Sequence, residues 1–217
     1  MANKSQMEVF KFVFSPIQVN TYVLADDSGN CAIIDCGCYN KNEFSRLVNL
    51  LESRKLKPAI LLNTHCHLDL IFGNGFISEK YKLRPFENKL EEPNRKNAVN
   101  LALMFGLSME IPPEPEGFIS DNEKIVFGDI TLLSLHVPGH SPGSIAFYSE
   151  KNGCVFTGDA LFAGSIGRTD LPGGNSDTLI NSIESQLLTL PGQTIVYSGH
   201  GPETTIEREM NTNPYLT

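Results

Sequence analysis

The sequence predicts an α/β fold, and three observations predict it. Apolar runs of strand length recur along the chain, and pieces such as Ala59 to Leu62 fall far short of the ~18 residues that span a bilayer. Longer segments carry apolar residues at the spacing of an amphipathic helix. Clusters of Gly, Asn, Asp and Pro punctuate the runs and set their ends. The 217 residues are 41% hydrophobic and 19% charged, a globular composition that excludes a disordered chain. At roughly 150 residues per domain, residues 1–217 are expected to form a single domain with one excursion.

Met7 to Phe14 reads as a strand that stops at Pro16. Asn20 to Leu24 and Cys31 to Ile34 flank the turn cluster Asp26-Asp27-Ser28-Gly29-Asn30 and are read as a hairpin. Lys41 to Lys55 places Phe44, Leu47, Val48 and Leu51 at i, i+3, i+4 and i+7, a helix that Pro58 closes off. Ala59 to Leu62 follows as a buried strand. The middle of the chain, at about 84–117, changes character: Pro85, Pro93, Pro112, Pro113 and Pro115 bracket a helix from Asn94 to Leu107. It is read as a helical excursion over one face. Glu123 to Phe127 and Ile130 to Val137 are strands joined at Gly128-Asp129, and Ser144 to Ser149 and Cys154 to Thr157 are joined through Glu150-Lys151-Asn152-Gly153. Asp177 to Leu188 reads as a helix with Asp177 as its N-cap. Thr194 to Tyr197 is a last strand, with a short helix after Pro202.

Charge narrows the function. Against 25 Asp+Glu the chain has 17 Lys+Arg, a net charge of −8, and no basic run, so nucleic acid is not an expected partner. Glu8 and Lys11 interrupt the only apolar stretch near the start, so no secretory signal is expected, and no membrane partner. Five cysteines are an odd number, and Cys36 and Cys38 stand too close for a disulfide framework. Free thiols in a reducing, cytoplasmic compartment are the expectation.

The histidines are not scattered. His65 and His67 follow the strand Ala59 to Leu62, His140 follows Ile130 to Val137, and His200 follows Thr194 to Tyr197. Asp159 follows Cys154 to Thr157. Polar groups released at strand ends beside Gly139, Gly158, Gly199 and Gly201 suit a site at one edge of a sheet. Imidazole and carboxylate are ligands for zinc or a similar divalent ion. A lone histidine in such a loop is more often a hydrogen-bonded structural residue. Four histidines and two aspartates, each in a strand-end loop, favour a shared site. His136 and His140 are four apart, but Pro138-Gly139 lies between them, which excludes a helical zinc motif. His136 is read as a strand or supporting residue, and Cys31, Cys36, Cys38 and Cys154 as structural.

Thr64-His65-Cys66-His67-Leu68-Asp69, Pro138-Gly139-His140-Ser141-Pro142-Gly143, Thr157-Gly158-Asp159 and Gly199-His200-Gly201-Pro202 resemble the successive motifs of the metallo-β-lactamase superfamily. Gly167-Arg168-Thr169-Asp170 and the ending Asn213-Pro214-Tyr215-Leu216 resemble its short, single-domain glyoxalase II-like (hydroxyacylglutathione hydrolase-like) enzymes. The resemblance implies a four-layer αββα sandwich with a metal site at one edge of the two sheets. It also implies a first metal on His65, His67 and His140, Asp159 at a bridging position, and Asp69 and His200 at a second metal. The family motif usually ends Asp-His, and this chain has Asp69-Leu70, one imidazole short. One zinc ion is therefore expected, with two ions as the other occupancy and iron as the alternative metal. Asp69 is then free to orient the attacking water or take its proton. Cys66 is weighed as a replacement ligand and set aside, because its neighbours already point at the first metal. Asp35 sits where the family places a carboxylate supporting the histidine loop, with a turn carboxylate capping a backbone N–H as the alternative, and Arg168 with Asp170 is read as a structural pair in preference to a shaper of the substrate rim.

The activity so implied is hydrolysis of a small acyl thioester, with hydroxide supplied by the metal; no serine-hydrolase elbow is expected. Only 17 residues follow His200, so the C-terminal helical domain through which larger glyoxalase II enzymes bind glutathione is expected to be absent. Two rival readings remain. One is a persulfide dioxygenase-like oxidoreductase with a single iron on His65, His140 and Asp159, and the other is a degenerate, non-catalytic metal-binding module.

Overall fold

In a computed structural model of the chain, described for residues 7–216, two six-stranded sheets pack face to face. The stretch read for a secretory signal begins in residues 1–6, which lie outside the described residues. The first sheet starts as the antiparallel meander β1 (Glu8–Phe14), β2 (Val19–Ala25) and β3 (Asn30–Ile34). Asn40 then caps α1 (Lys41–Ser53), accepting from the N–H groups of Asn42 and Glu43 while Leu47, Val48 and Leu51 turn inward. β4 (Lys57–Leu62) returns parallel to β3. Pro58 thus lies inside the strand and not before it. The pairing register slips beside it, as expected of a residue with no N–H to donate.

Two short helices that periodicity did not announce follow, α2 (Leu68–Ile71) and α3 (Asn74–Tyr81). The excursion then begins and ends as sheet. β5 (Pro85–Glu87) runs parallel to β4, and β6 (Gly117–Phe118) runs parallel to β5. Between them lie a 3₁₀ turn, Lys89–Glu91, and α4 (Glu92–Met104). The helix starts earlier than expected because Pro93 fits the first turn, where no N–H is needed. It ends short of Leu107 because Gly106 turns the chain at φ +70°.

The second sheet is built from β7 (Lys124–Phe127), β8 (Ile130–His136), β9 (Ile145–Ser149) and β10 (Cys154–Gly158), each antiparallel to the next. A small ribbon, β11 (Leu161–Phe162) with β12 (Ser165–Ile166), precedes α5 (Ser176–Ser182), which runs on into a π turn at Ile183–Leu187. The cap of α5 is Asn175, which accepts from Thr178 N–H, and not Asp177. Asp177 sits in the first turn, where its charge faces the positive end of the helix. β13 (Ile195–Ser198) joins parallel to β10, β14 (Thr204–Thr205) closes the edge, and α6 (Ile206–Thr212) follows.

Strict alternation along the strands sorts their side chains into three apolar interfaces. Leu24, Ile34 and Leu62 of the first sheet meet Leu132, Phe147 and Phe156 of the second. Their neighbours Val23, Ile33 and Leu61 face Leu47 and Leu51 of α1 and Ala98 of α4. On the far side Ala146, Val155 and Val196 meet Leu179 of α5 and Ile206 of α6. Three interfaces make four layers, αββα.

In this arrangement the carboxyl ends of β3 and β4, and those of β8, β10 and β13, open at one edge of the sandwich. Hydrogen bonds tie the sheets together there: Ile145 N–H donates to Thr64 O at 2.8 Å, Asn20 N–H to Gly199 O at 2.6 Å, and the Tyr22 hydroxyl to Ser198 O at 2.7 Å. No helix among the described residues is long and apolar enough to cross a membrane. Phe147 lies at the centre of the interface between the sheets with none of its surface exposed. Phe147→Ala is expected to cost about 3–5 kcal/mol of stability, read as a shift in the urea unfolding midpoint with little change in slope.

Candidate metal centre

Three histidines meet at the open edge. His65 and His67 leave β4 in an extended loop, with His67 at the entry to α2, and His140 lies in the loop between β8 and β9. His65 Nε2 is 3.1 Å from His67 Nδ1 and 3.1 Å from His140 Nε2, and the last two atoms are 2.8 Å apart. The rings stand nearly perpendicular, at 86–88°. Among the described residues, these three form the group whose ligand atoms converge closely enough to hold a metal.

Two of the rings have a defined proton on the nitrogen facing away. His140 Nδ1 donates to the Arg168 carbonyl at 2.8 Å. His65 Nδ1 lies 3.2 Å from Thr64 Oγ1, whose own proton goes to Asp35 Oδ2 at 2.8 Å. Asp35 also accepts from Thr64 N–H, so it supports the histidine loop through Thr64 and not by touching a ring. Gly158 permits this relay: at φ +51°, a β-carbon there would sit 2.3 Å from Thr64 Oγ1. Burial holds His65 well below the ordinary imidazole range and brings His140 down to about 4, each helped by the neighbouring imidazoles, and burial also lowers His67. Neutral rings with lone pairs turned inward result.

Beside this cluster stand Asp69, at the start of α2, Asp159 after β10, and His200 after β13. Asp159 Oδ2 is 3.6 Å from both His140 Nε2 and His200 Nε2, and His200 Nε2 is 3.2 Å from Asp69 Oδ2. The other nitrogen of His200 donates to the Gln18 carbonyl at 3.1 Å. Burial disfavours charge on His200, but the bond to Asp69 and the charge of Asp159 outweigh it and raise the ring to about 9. Burial raises Asp159 to about 7. Asp159 Oδ1 is buried and accepts no hydrogen bond, an arrangement that costs free energy unless a cation stands nearby. Converging lone pairs and an unpaired buried carboxylate oxygen fit a divalent ion. The nitrogen spacing is close to the edge of about 3.3 Å that tetrahedral zinc–imidazole bonds imply.

The other expected residues fall as follows. Cys66 turns away from the cluster: its thiol, pushed well up by burial, donates to Glu87 Oε2 at 3.2 Å. His136 Nε2 faces the Pro142 carbonyl at 3.0 Å and so steadies the loop that carries His140. Arg168 pairs with Asp170 through two bonds of 2.7 Å, while its carbonyl holds His140. One expectation is corrected. Gly139-His140-Ser141-Pro142-Gly143 does have the Gly-x-Ser-x-Gly spacing of a nucleophile elbow. Ser141, however, is fully buried with its hydroxyl 2.7 Å from that of Ser144, and the loop joins two strands instead of a strand and a helix.

Residues 15–200 match the sequence model described as Metallo-beta-lactamase superfamily. The chain belongs to that superfamily. It is 38% identical to the Bacillus subtilis protein named "Probable metallo-hydrolase YqgX", over 93% of each chain. It is 36% identical to "Hydroxyacylglutathione hydrolase GloC" of Haemophilus influenzae, over 92% of this chain and 93% of that protein. Among solved structures, the BLEG-1 B3 metallo-β-lactamase superposes with a TM-score of 0.89 at 35% identity, covering 97% of this chain and 100% of that one. TTHA1623 in a di-iron-bound form superposes with a TM-score of 0.86 at 37% identity, covering 95% and 100%. Where the superfamily motif usually ends in a further histidine, Leu70 is fully buried in the apolar layer with Val19, Cys36 and Ile71.

Sequence reasoning missed the group that joins the two halves of this superfamily site. Glu91, fully buried, accepts from Cys66 N–H at 2.9 Å and from Gly143 N–H at 2.7 Å. One carboxylate therefore links the loop of His65 and His67 to the loop of His140. Asn94 donates to it at 2.8 Å. Beside it, Glu87 takes the Cys66 thiol and, at 3.0 Å, Arg95, which also reaches Glu114 at 2.8 Å. In Glu91→Gln, an amide NH₂ would face an N–H group where an oxygen now accepts one. A loss of metal affinity of about 10- to 100-fold is expected, measured by competition with a chromophoric chelator. Unaltered affinity would show that the loops hold their spacing without this carboxylate.

Proposed function

We propose that the protein is a metal-dependent hydrolase that cleaves a small acyl thioester, with one zinc ion on His65, His67 and His140. The observation that carries this reading is the convergence of three neutral imidazole nitrogens on one point, next to Asp159 and Asp69, at the floor of a cavity. An ion bound there lowers the pKa of its water to about 7 and polarises a carbonyl, which supplies both nucleophile and electrophile at neutral pH.

The chain's own residues do the rest. Asp69 is fixed by His200 and stands at the cavity, placed to orient water or take its proton. His200 donates from both nitrogens, so its ring is locked and keeps positive charge beside the two carboxylates. Arg168 holds His140 in the tautomer that turns Nε2 inward. No protein nucleophile is required, in keeping with the buried hydroxyl of Ser141. The five free, buried cysteines support action in a reducing, cytoplasmic setting, with a small molecule and not nucleic acid or a membrane as partner. The names of the relatives YqgX and GloC support a hydrolase, and the second supports a thioester.

A second reading is an iron-dependent oxidoreductase acting on a persulfide with His65, His140 and Asp159. The di-iron form of TTHA1623 favours iron over zinc as the metal. Elemental analysis of protein purified without added metal separates the two. About one zinc per chain with thioesterase activity is expected; iron together with oxygen consumption on a glutathione persulfide would overturn the hydrolase reading. His140→Ala should lose both metal and turnover, and a fully active variant would remove the assignment. Leu70→Met, which conserves buried volume, should leave metal content and turnover unchanged, because Leu70 ligates nothing.

A further inference from the structure

The walls of the cavity say more about the substrate than its floor does. The cavity encloses about 670 Å³, the size of a site for a small organic molecule. Above His67, Asp69, His140, Asp159 and His200, its lining is apolar. Leu101, Phe105 and Leu107 come from the end of α4 and the residues after it, with Ile17 from the β1–β2 turn and Phe162 from β11. Phe105 is 60% exposed and Ile17 40%, so apolar surface next to the reacting centre is left to water in the free protein. Such a contiguous patch marks a binding surface. Cationic recognition is weak by comparison. Two cations stand among the lining residues: His200 is held by Asp69, and Asp170 already occupies the guanidinium of Arg168 through two bonds of 2.7 Å. The floor adds two carboxylates, and the whole chain carries a charge of −8.

Resting on the hydrolase reading above, we infer that the substrate is a thioester with an apolar acyl chain, which lies against Leu101, Phe105 and Leu107. A small hydroxyacyl group would leave this wall wet. A carrier thiol with several carboxylates would meet one guanidinium that is already paired.

The test is a series of N-acetylcysteamine thioesters from acetyl through butanoyl and hexanoyl to octanoyl, with S-lactoylglutathione alongside. kcat/KM is expected to rise about fourfold per added methylene until the wall is filled. Phe105→Ser, at an exposed position where folding is not at stake, should flatten that slope. A second series replaces the thioester sulphur by CH₂, giving ketones that cannot be cleaved, and calorimetry reads their affinity for the metal-loaded protein. Kd should fall by a similar factor per methylene. Affinity that rises with chain length, without turnover of any thioester, would uphold the acyl assignment and remove the hydrolase reading. Turnover that is flat with chain length, or highest for S-lactoylglutathione, would overturn the acyl assignment and leave the hydrolase reading standing.

Discussion

Three imidazole nitrogens within 3.1 Å of one another can share a cation only if the rings stay neutral and each turns a lone pair, not a proton, toward the shared point. Much of the local structure serves that condition. Burial makes protonation costly and so keeps the rings neutral. The outward nitrogens of His65 and His140 are given acceptors, Thr64 backed by Asp35 for one and the Arg168 carbonyl for the other. With those protons fixed outward, the inward lone pairs follow from valence alone.

The sandwich supplies the distances. His65 and His67 belong to the first sheet's side of the molecule and His140 to the second, so their separation depends on how the sheets are tied at the open edge. The bond from Ile145 N–H to Thr64 O fixes one loop against the other from below, and Glu91 does so from above. Glu91 can reach both loops because the excursion is rooted at each end in the first sheet, through β5 and β6. A segment that looked like a cover over the fold is thus also a brace for the site, and its α4 end supplies an apolar wall of the cavity.

Much of this was legible in the sequence, and for physical reasons. Apolar runs with alternating neighbours announce two-sided strands, and the glycines after them mark where the chain can turn sharply and bring His140 or Asp159 to an edge. The motifs then identified the superfamily. The short helix α2 was not legible, because Leu68-Asp69-Leu70-Ile71-Phe72-Gly73 is apolar nearly all round and carries no helical stripe; Leu68, Leu70 and Ile71 are all buried. Helix α3 was not legible either, because it turns only Asn74 and Ile77 fully inward, too few for a stripe. Nor was Glu91. It stands next to Glu92 at the start of a helix, where acidic residues are favoured on any surface helix. Nothing in spacing distinguishes a fully buried Glu91 from Glu92, whose side chain pairs with Lys96 on the surface. Pro58 misled in the opposite direction, since a bulge lets a strand absorb a missing donor.

The two halves of the site also differ in what a metal would gain there, and this bears on the proposed single ion. The three histidines have no proton to lose: His140 titrates at about 4, so at pH 7 its lone pair is already free. His200 titrates at about 9 while it holds Asp69 and Asp159, so an ion that uses it must first displace a proton. The ion would also break a contact that already satisfies both partners. Where the superfamily usually offers one more imidazole to offset this, the chain has Leu70, sealed in the apolar layer. On the proposed reading, Asp69, His200 and Asp159 form a charge cluster that would serve the reaction without a second ion, while the histidine triad turns inward the lone pairs that would hold the single one.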